Sequence, residues 1–171
     1  MCQESKRADS VRESIEKYTD MVYRLAFSMM KNKYDADDIH QEVFVQYISN
    51  YATLESEEHK KAWLIRVTVN MCKNWWKSAW HRKVCGMFEG QAFGEQDESF
   101  LQWEMQYPVV EQVRKLPQKY KAVIHLFYYE EMSIKEIAEV LELKESNVRA
   151  RLTRARQKLK EGLQYDVSEG I

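Results

Sequence analysis

The chain has 171 residues, 44% of them hydrophobic, with five glycines and two prolines, so it has ample material for a buried core and favours helix. A formal net charge of −1 gives no overall pointer to nucleic acid, and no apolar run reaches the roughly 18 residues of a membrane span, so neither signal peptide nor anchor is expected. Cys2, Cys72 and Cys85 form no C-x-x-C pair, which argues against a disulfide framework and fits a reducing cytoplasm.

In chain order, Ile15, Tyr18, Val22, Leu25, Ala26 and Met29 recur at helical spacing and predict an amphipathic helix from about Val11 to Met30. Lys31, Asn32 and Lys33 break it. Asp35 can cap a second helix in which Ala36, Ile39, Val43 and Tyr47 face one way, with Phe44 and Ile48 alongside. The carboxylates of the DADD turn, Asp35, Asp37 and Asp38, suit a helix start. Continued by His40, Gln41 and Glu42, they equally suit a polar docking surface.

Asn50 to His59 reads as a polar loop, followed by a third helix from Ala62 to about Arg82. His59 to Lys83 holds seven Lys or Arg and no acid, so this helix is basic along its length. It also carries four of the five tryptophans, Trp63, Trp75, Trp76 and Trp80. Tryptophan is usually core, but adjacent helical positions diverge by about 100°, so Trp75, Trp76 and Trp80 cannot all point inward. Aromatic faces among Lys73, Lys77, Arg82 and Lys83 offer stacking for bases beside cations for phosphates.

From Gly86 to Gln106 the character changes, with five acids and no cation, as in a mobile linker with a short helix around Phe100 to Met105. Its charge opposes that of the basic blocks on either side, which admits a closed form of the free protein. Pro108 then opens a second helical unit with Val109, Val110, Val113 and Leu116, and Pro117 punctuates it before an apolar run from Val123 to Tyr129.

The stretch Ser133 to Leu163 is the most informative. Ile134, Ile137, Ala138 and Leu141 mark one helix, and Ser133 with Glu136 three residues on is a capping-box start. Val148, Leu152, Ala155, Leu159 and Leu163 stripe a second helix whose other faces carry Arg149, Arg151, Arg154, Arg156, Lys158 and Lys160. The small Ala138 lets the two cross closely, as in a helix-turn-helix whose second helix enters a DNA major groove. No glycine stands in the turn, where Glu142 takes the usual position, so the turn is strained or differently shaped. The expected fold class is all-α: two small helical domains, residues 1–83 and 108–171, joined by a flexible acidic linker, 84–107, with the second domain ending in the helix-turn-helix.

Catalytic signatures are absent: no phosphate-cradling glycine loop, no G-x-S-x-G and no H-E-x-x-H. No enzyme activity, cofactor or metal is expected.

Three blocks occur in a meaningful order, DADDIHQEVFVQY, AWLIRVTVNMCKNWWK and LPQKYKAVIHLFYYEEMSIKEIAEVLELKESNVRARLTRARQKLKE. Together, over about Val11 to Leu163, they resemble the extracytoplasmic-function class of bacterial sigma factors, the small initiation subunits of RNA polymerase. The resemblance implies a cytoplasmic transcription initiation factor that binds core RNA polymerase and directs it to promoter DNA, reading a minus-35 and a minus-10 element and promoting melting. It implies polymerase contacts at Asp38, Gln41, Glu42 and Phe44. It places Asn70, Lys73, Asn74, Trp76 and Lys77 at the minus-10 element, with Asn70 matching the family's melting asparagine. Leu54 to Lys60 matches a segment that captures an unstacked base, although ESEEH is more acidic than a DNA-facing loop is expected to be. By alignment Arg149, Ala150, Thr153 and Arg154 reach minus-35 base edges, while Ser146, Asn147, Arg151 and Lys158 suit phosphates. It further implies that the linker lies in the polymerase's basic RNA-exit path, and an inhibitory partner, an anti-sigma factor.

Two other readings stand beside it. One is a stand-alone helix-turn-helix regulator of duplex DNA, against which the tryptophan-rich basic helix speaks. The other is a zinc-dependent hydrolase or scaffold using Cys72, His81 and Cys85, although a closed site wants four ligands.

Overall fold

The computed structural model describes residues 2–30, 32–84 and 108–169, with side chains over 7–30, 32–79, 109 and 112–164. The expected linker therefore lies outside the described residues, as do the side chains of Trp80, His81, Arg82 and Lys83. Seven α-helices and one 3-10 turn make up the described structure, and no strand occurs among these residues.

Helices α1 (Cys2–Met29), α2 (Lys33–Asn50) and α3 (Glu57–Val84) form an N-terminal bundle, with the 3-10 turn Tyr51–Thr53 between the last two. The predicted apolar stripe of α1 is buried from Tyr18 to Met29, and the helix begins at Cys2, nine residues before the expected start at Val11. Asn32, not Asp35, caps α2: its backbone is extended and its Oδ1 accepts from the Asp35 backbone N–H at 2.9 Å. Val22, Leu25, Val43, Tyr47, Leu64, Ile65 and Val69 fill the space between the three helices.

The expected loop from Asn50 to His59 is mostly helical. Ser56 Oγ accepts from the His59 backbone N–H at 3.1 Å, so α3 begins at Glu57 instead of near Ala62. Glu57 ties this new helix start to α1. Its carboxylate accepts from Lys17 Nζ at 2.7 Å, from the Tyr18 hydroxyl at 2.9 Å and from Lys60 Nζ at 2.8 Å. Those donors, Lys17 first, hold its pKa down at about 2. The acidity of ESEEH thus has a structural use at the start of α3.

Helices α4 (Pro108–Lys115), α5 (Gln118–Tyr128), α6 (Ile134–Leu141) and α7 (Glu145–Glu169) form a C-terminal bundle. Pro117 sits at the N-cap of α5, and Val123, Ile124 and Leu126 are buried, but Tyr128 and Tyr129 at the end of the apolar run face outward. α7 is the axis on which α4, α5 and α6 all pack. The two bundles meet along α1 against α5 and α3 against α6, and one continuous core cluster runs through both.

Candidate nucleic-acid interface

The helix-turn-helix forms as its residues dictate. Ser133 Oγ accepts from the Glu136 N–H at 3.2 Å, and the Glu136 carboxylate accepts from the Ser133 N–H at 2.8 Å, a complete capping box on α6. Glu142 ends α6 in the left-handed region at φ 55°, ψ 46°, doing with a side chain what glycine does without strain. The Leu143 N–H closes the turn on the Ala138 carbonyl at 2.8 Å.

In α7, Val148, Leu152 and Ala155 are buried against the bundle, so helical geometry turns Ser146, Asn147, Arg149, Ala150, Thr153 and Arg154 to solvent. These residues cover the first turns of the helix, the part that meets base edges in a major groove. Lys158 is exposed further along, and Arg151 is half-buried. Arg149 pairs with Glu145 at 3.0 Å, and Arg151 Nε donates to Asn147 Oδ1 at 2.9 Å, so both guanidiniums are held along the helix. Arg156 serves the fold: its Nε donates to the Tyr128 hydroxyl at 2.8 Å and its guanidinium lies 5.4 Å from the Phe127 ring centre.

Along α3, Arg66, Asn70, Lys73, Asn74 and Lys77 recur at helical spacing on one face. Asn70, Asn74 and Lys77 are exposed, whereas Arg66 and Lys73 are half-buried toward the C-terminal bundle. The Lys73 ammonium is pulled below the ordinary lysine range, mainly by burial and further by the cations Arg151 and Lys77. Trp76 is half-buried and its Nε1 donates to the Met29 carbonyl at 3.2 Å, so it caps the end of α1 and packs edge-on against Trp75. The expected free stacking surface is therefore reduced, because the indole N–H has an orphan helix carbonyl to satisfy. Burial pushes the Cys72 thiol up to about 12, which leaves it protonated and inert. Cys85 and the His81 side chain lie outside the described residues, among which no metal-binding group of three His, Cys, Asp or Glu occurs.

On α2, Asp38, Gln41 and Glu42 are exposed as expected of a docking face. Phe44 is not: it is 7% exposed and packs edge-on against His40 and Tyr47, because it falls on the buried side with Val43 and Tyr47. The exposed apolar residues are instead Tyr34 (67%), Val45 (58%) and Ile48 (56%). With Asp38 and Gln41 they run at i, i+4, i+7, i+11 and i+14, a second stripe that their offset from Ala36, Ile39, Val43 and Tyr47 already marks in the sequence. Arg66 was likewise missed, since a lone arginine in a basic helix carries no distinguishing signal.

Comparison with known proteins is consistent with this layout. Residues 14–82 match the model of Sigma-70 region 2, and residues 108–159 match that of Sigma-70 region 4. Among curated relatives, the ECF RNA polymerase sigma factor SigW of Bacillus subtilis is 27% identical, with 91% of this chain and 89% of that protein aligned. RNA polymerase sigma factor SigV of the same organism is 31% identical over 78% of each chain. Among solved structures, the sigma factor RpoE of Bartonella quintana, in complex with the anti-sigma factor NepR, superimposes with a TM-score of 0.71 at 17% identity, covering 91% of this chain and 97% of that one. With both sigma regions present in order along one chain, the protein belongs to the extracytoplasmic-function sigma factors of RNA polymerase.

Proposed function

We propose that this chain is a promoter-recognising initiation factor, with no catalytic activity of its own, that contacts DNA at two places and polymerase at a third. One observation carries the assignment: three exposed helix faces of different chemistry stand on three different helices. The α7 face, Arg149, Ala150, Thr153 and Arg154 with Ser146, Asn147, Arg151 and Lys158, suits a minus-35 duplex. Its arginines can fork onto guanine O6 and N7, and Thr153 can meet a thymine methyl. The α3 face, Asn70, Asn74 and Lys77 with Lys73 behind them, suits a minus-10 strand opened by Asn70, and the segment Leu54 to Lys60, which leads into the first turn of the same helix, would take its unstacked base. Trp76 acts there as a support for α3, not as a stacking platform.

The α2 face joins acids to apolar side chains, Asp38, Gln41 and Glu42 with Tyr34, Val45 and Ile48, which is the composition of a protein-docking surface. Core polymerase is its partner in this reading, and Phe44 holds the helix from below. The structurally similar sigma factor RpoE was solved in complex with an anti-sigma factor, NepR, and in this reading an anti-sigma factor that covers these faces is the inhibitor of this chain too. Among the described residues no helix is long and apolar enough to cross a membrane. The test is transcription in vitro with core polymerase and a promoter library, which should yield discrete start sites only when this chain is added. Duplex binding without initiation at any promoter would favour the stand-alone regulator.

A further inference from the structure

A cavity of about 240 Å³ lies where α1 meets the C-terminal bundle, and its wall is almost wholly apolar. Two stacked ring pairs build that wall. Tyr23 and Phe27, one turn apart on α1, have ring centres 5.8 Å apart and planes 29° from parallel. His125 and Tyr129, one turn apart at the end of α5, stack at 5.1 Å and 15°. Val113 of α4 adds an aliphatic side chain to the lining. Interiors are otherwise packed to near-crystal density, so a space of this size is room that the fold leaves unfilled. Ring pairs from different helices suit a flat aromatic guest, because ring–ring contacts add to what burial of apolar surface supplies. An apolar cavity of about 150 Å³ takes up benzene, so this larger one suits two fused rings.

The polar groups at its His125 end are unsatisfied. His125 is 3% exposed and the Glu130 side chain beside it 8% exposed, yet neither His125 Nε2 nor Glu130 Oε1 has a hydrogen-bond partner. The two atoms stand 3.6 Å apart, beyond hydrogen-bond reach. Buried polar atoms left in this way cost free energy that a ligand group can recover. A carboxylate oxygen only accepts, and a neutral imidazole has one accepting nitrogen, so the missing group is an N–H or O–H donor. Charge on the ligand is disfavoured in both signs. Arg24 and Arg114 line the cavity and oppose a cation. The Glu130 carboxyl is held below the usual range, chiefly by His125 with Arg24 and Lys61 behind it, so it stays ionised and opposes an anion.

We propose that this cavity is a binding site for a small, flat, uncharged bicyclic aromatic molecule with one N–H or O–H donor. Its rings lie between the Tyr23–Phe27 and His125–Tyr129 pairs, and its donor meets the edge formed by His125 and Glu130. Because the wall comes from both bundles, the ligand binds the folded chain alone and stabilises it as occupancy rises. An effect on transcription would rest on the proposed function; the binding does not.

Calorimetric titration of β-naphthol into the full-length chain should show one saturable site, and the thermal unfolding midpoint should rise with naphthol concentration. Its methyl ether, which keeps the rings and loses the donor, should bind several-fold more weakly, and so should the naphthoate anion. Val113→Phe, which fills the cavity with a side chain, should remove binding at unchanged helical content. Independently of that variant, nuclear Overhauser contacts from naphthol to the ring protons of Phe27 and Tyr129 should locate the ligand in the wild type. No saturable binding, equal affinity for naphthol and its ether, a tighter naphthoate, a folded Val113→Phe that still binds, or naphthol contacts confined to other rings would each overturn the site.

Discussion

The two nucleic-acid faces of this molecule are both basic helices, yet the protein treats them differently. The outer face of α7 is anchored from behind by Val148, Leu152 and Ala155 and is open to solvent among the described residues. The face of α3 is half engaged: Arg66 grips the end of α6, Lys73 is half-buried beside Arg151, and only Asn70, Asn74 and Lys77 are open. A major-groove reader needs rigidity and a constant outward surface. A surface for a melted strand gains from being hidden until duplex has been found, because a permanently open cationic and aromatic face would collect any single strand.

The largest effect should come from removing the rigidity of α7. Leu152→Ala empties a fully enclosed site and should cost about 2–5 kcal/mol, read as a lowered midpoint in denaturant unfolding, with duplex binding lost alongside. Next, Arg149→Ala or Arg154→Ala should cost about 1–3 kcal/mol at particular minus-35 bases, whereas Lys158→Ala should weaken all sequences alike and flatten the salt dependence. Uniform losses for all three in a binding-site selection would blur the division between reading and positioning. Smaller again, Ser133→Ala breaks the capping box at the start of α6 and should lower stability by about 1 kcal/mol in the same unfolding assay, without changing base preference.

The smallest effect concerns the start of α3. Glu57 has its pKa held at about 2, below the 4.5 it has without its partners, so its contribution to stability is fully present above pH 4.5 and is lost as pH falls toward 2. Its side chain is 48% exposed, so solvent screens much of the interaction. Unfolding curves of wild type and Glu57→Gln should differ slightly at neutral pH and converge between pH 4.5 and 2. A gap that widened with acid would reverse the assignment.

Much of this was readable from residue spacing. The stripes of α1 and α7, the capping box at Ser133 and Glu136, and the glycine-free turn at Glu142 are local features, and local geometry decides them. Boundaries were harder: Asn32 outcompetes Asp35 as a cap, and Glu57 recruits partners from α1 that lie 39 and 40 residues away. Helical spacing set Phe44 alongside the apolar stripe, where it lies, whereas the resemblance carried it to the docking face; a match of position along a helix does not say which way a side chain turns. The contact of Arg66 with the end of α6 spans more than 70 residues, and no periodicity carries information over such a distance.

Transcription from a single promoter, with start-site mapping and permanganate footprinting of the melted region, tests the central claim most directly. Arg154→Ala should weaken upstream duplex protection at the minus-35 element, whereas Asn70→Ala should keep that protection but fail to open the minus-10 region. If Asn70→Ala melts normally, or if Arg154→Ala protects the minus-35 element as the wild type does, the two-face division of labour between α3 and α7 is wrong.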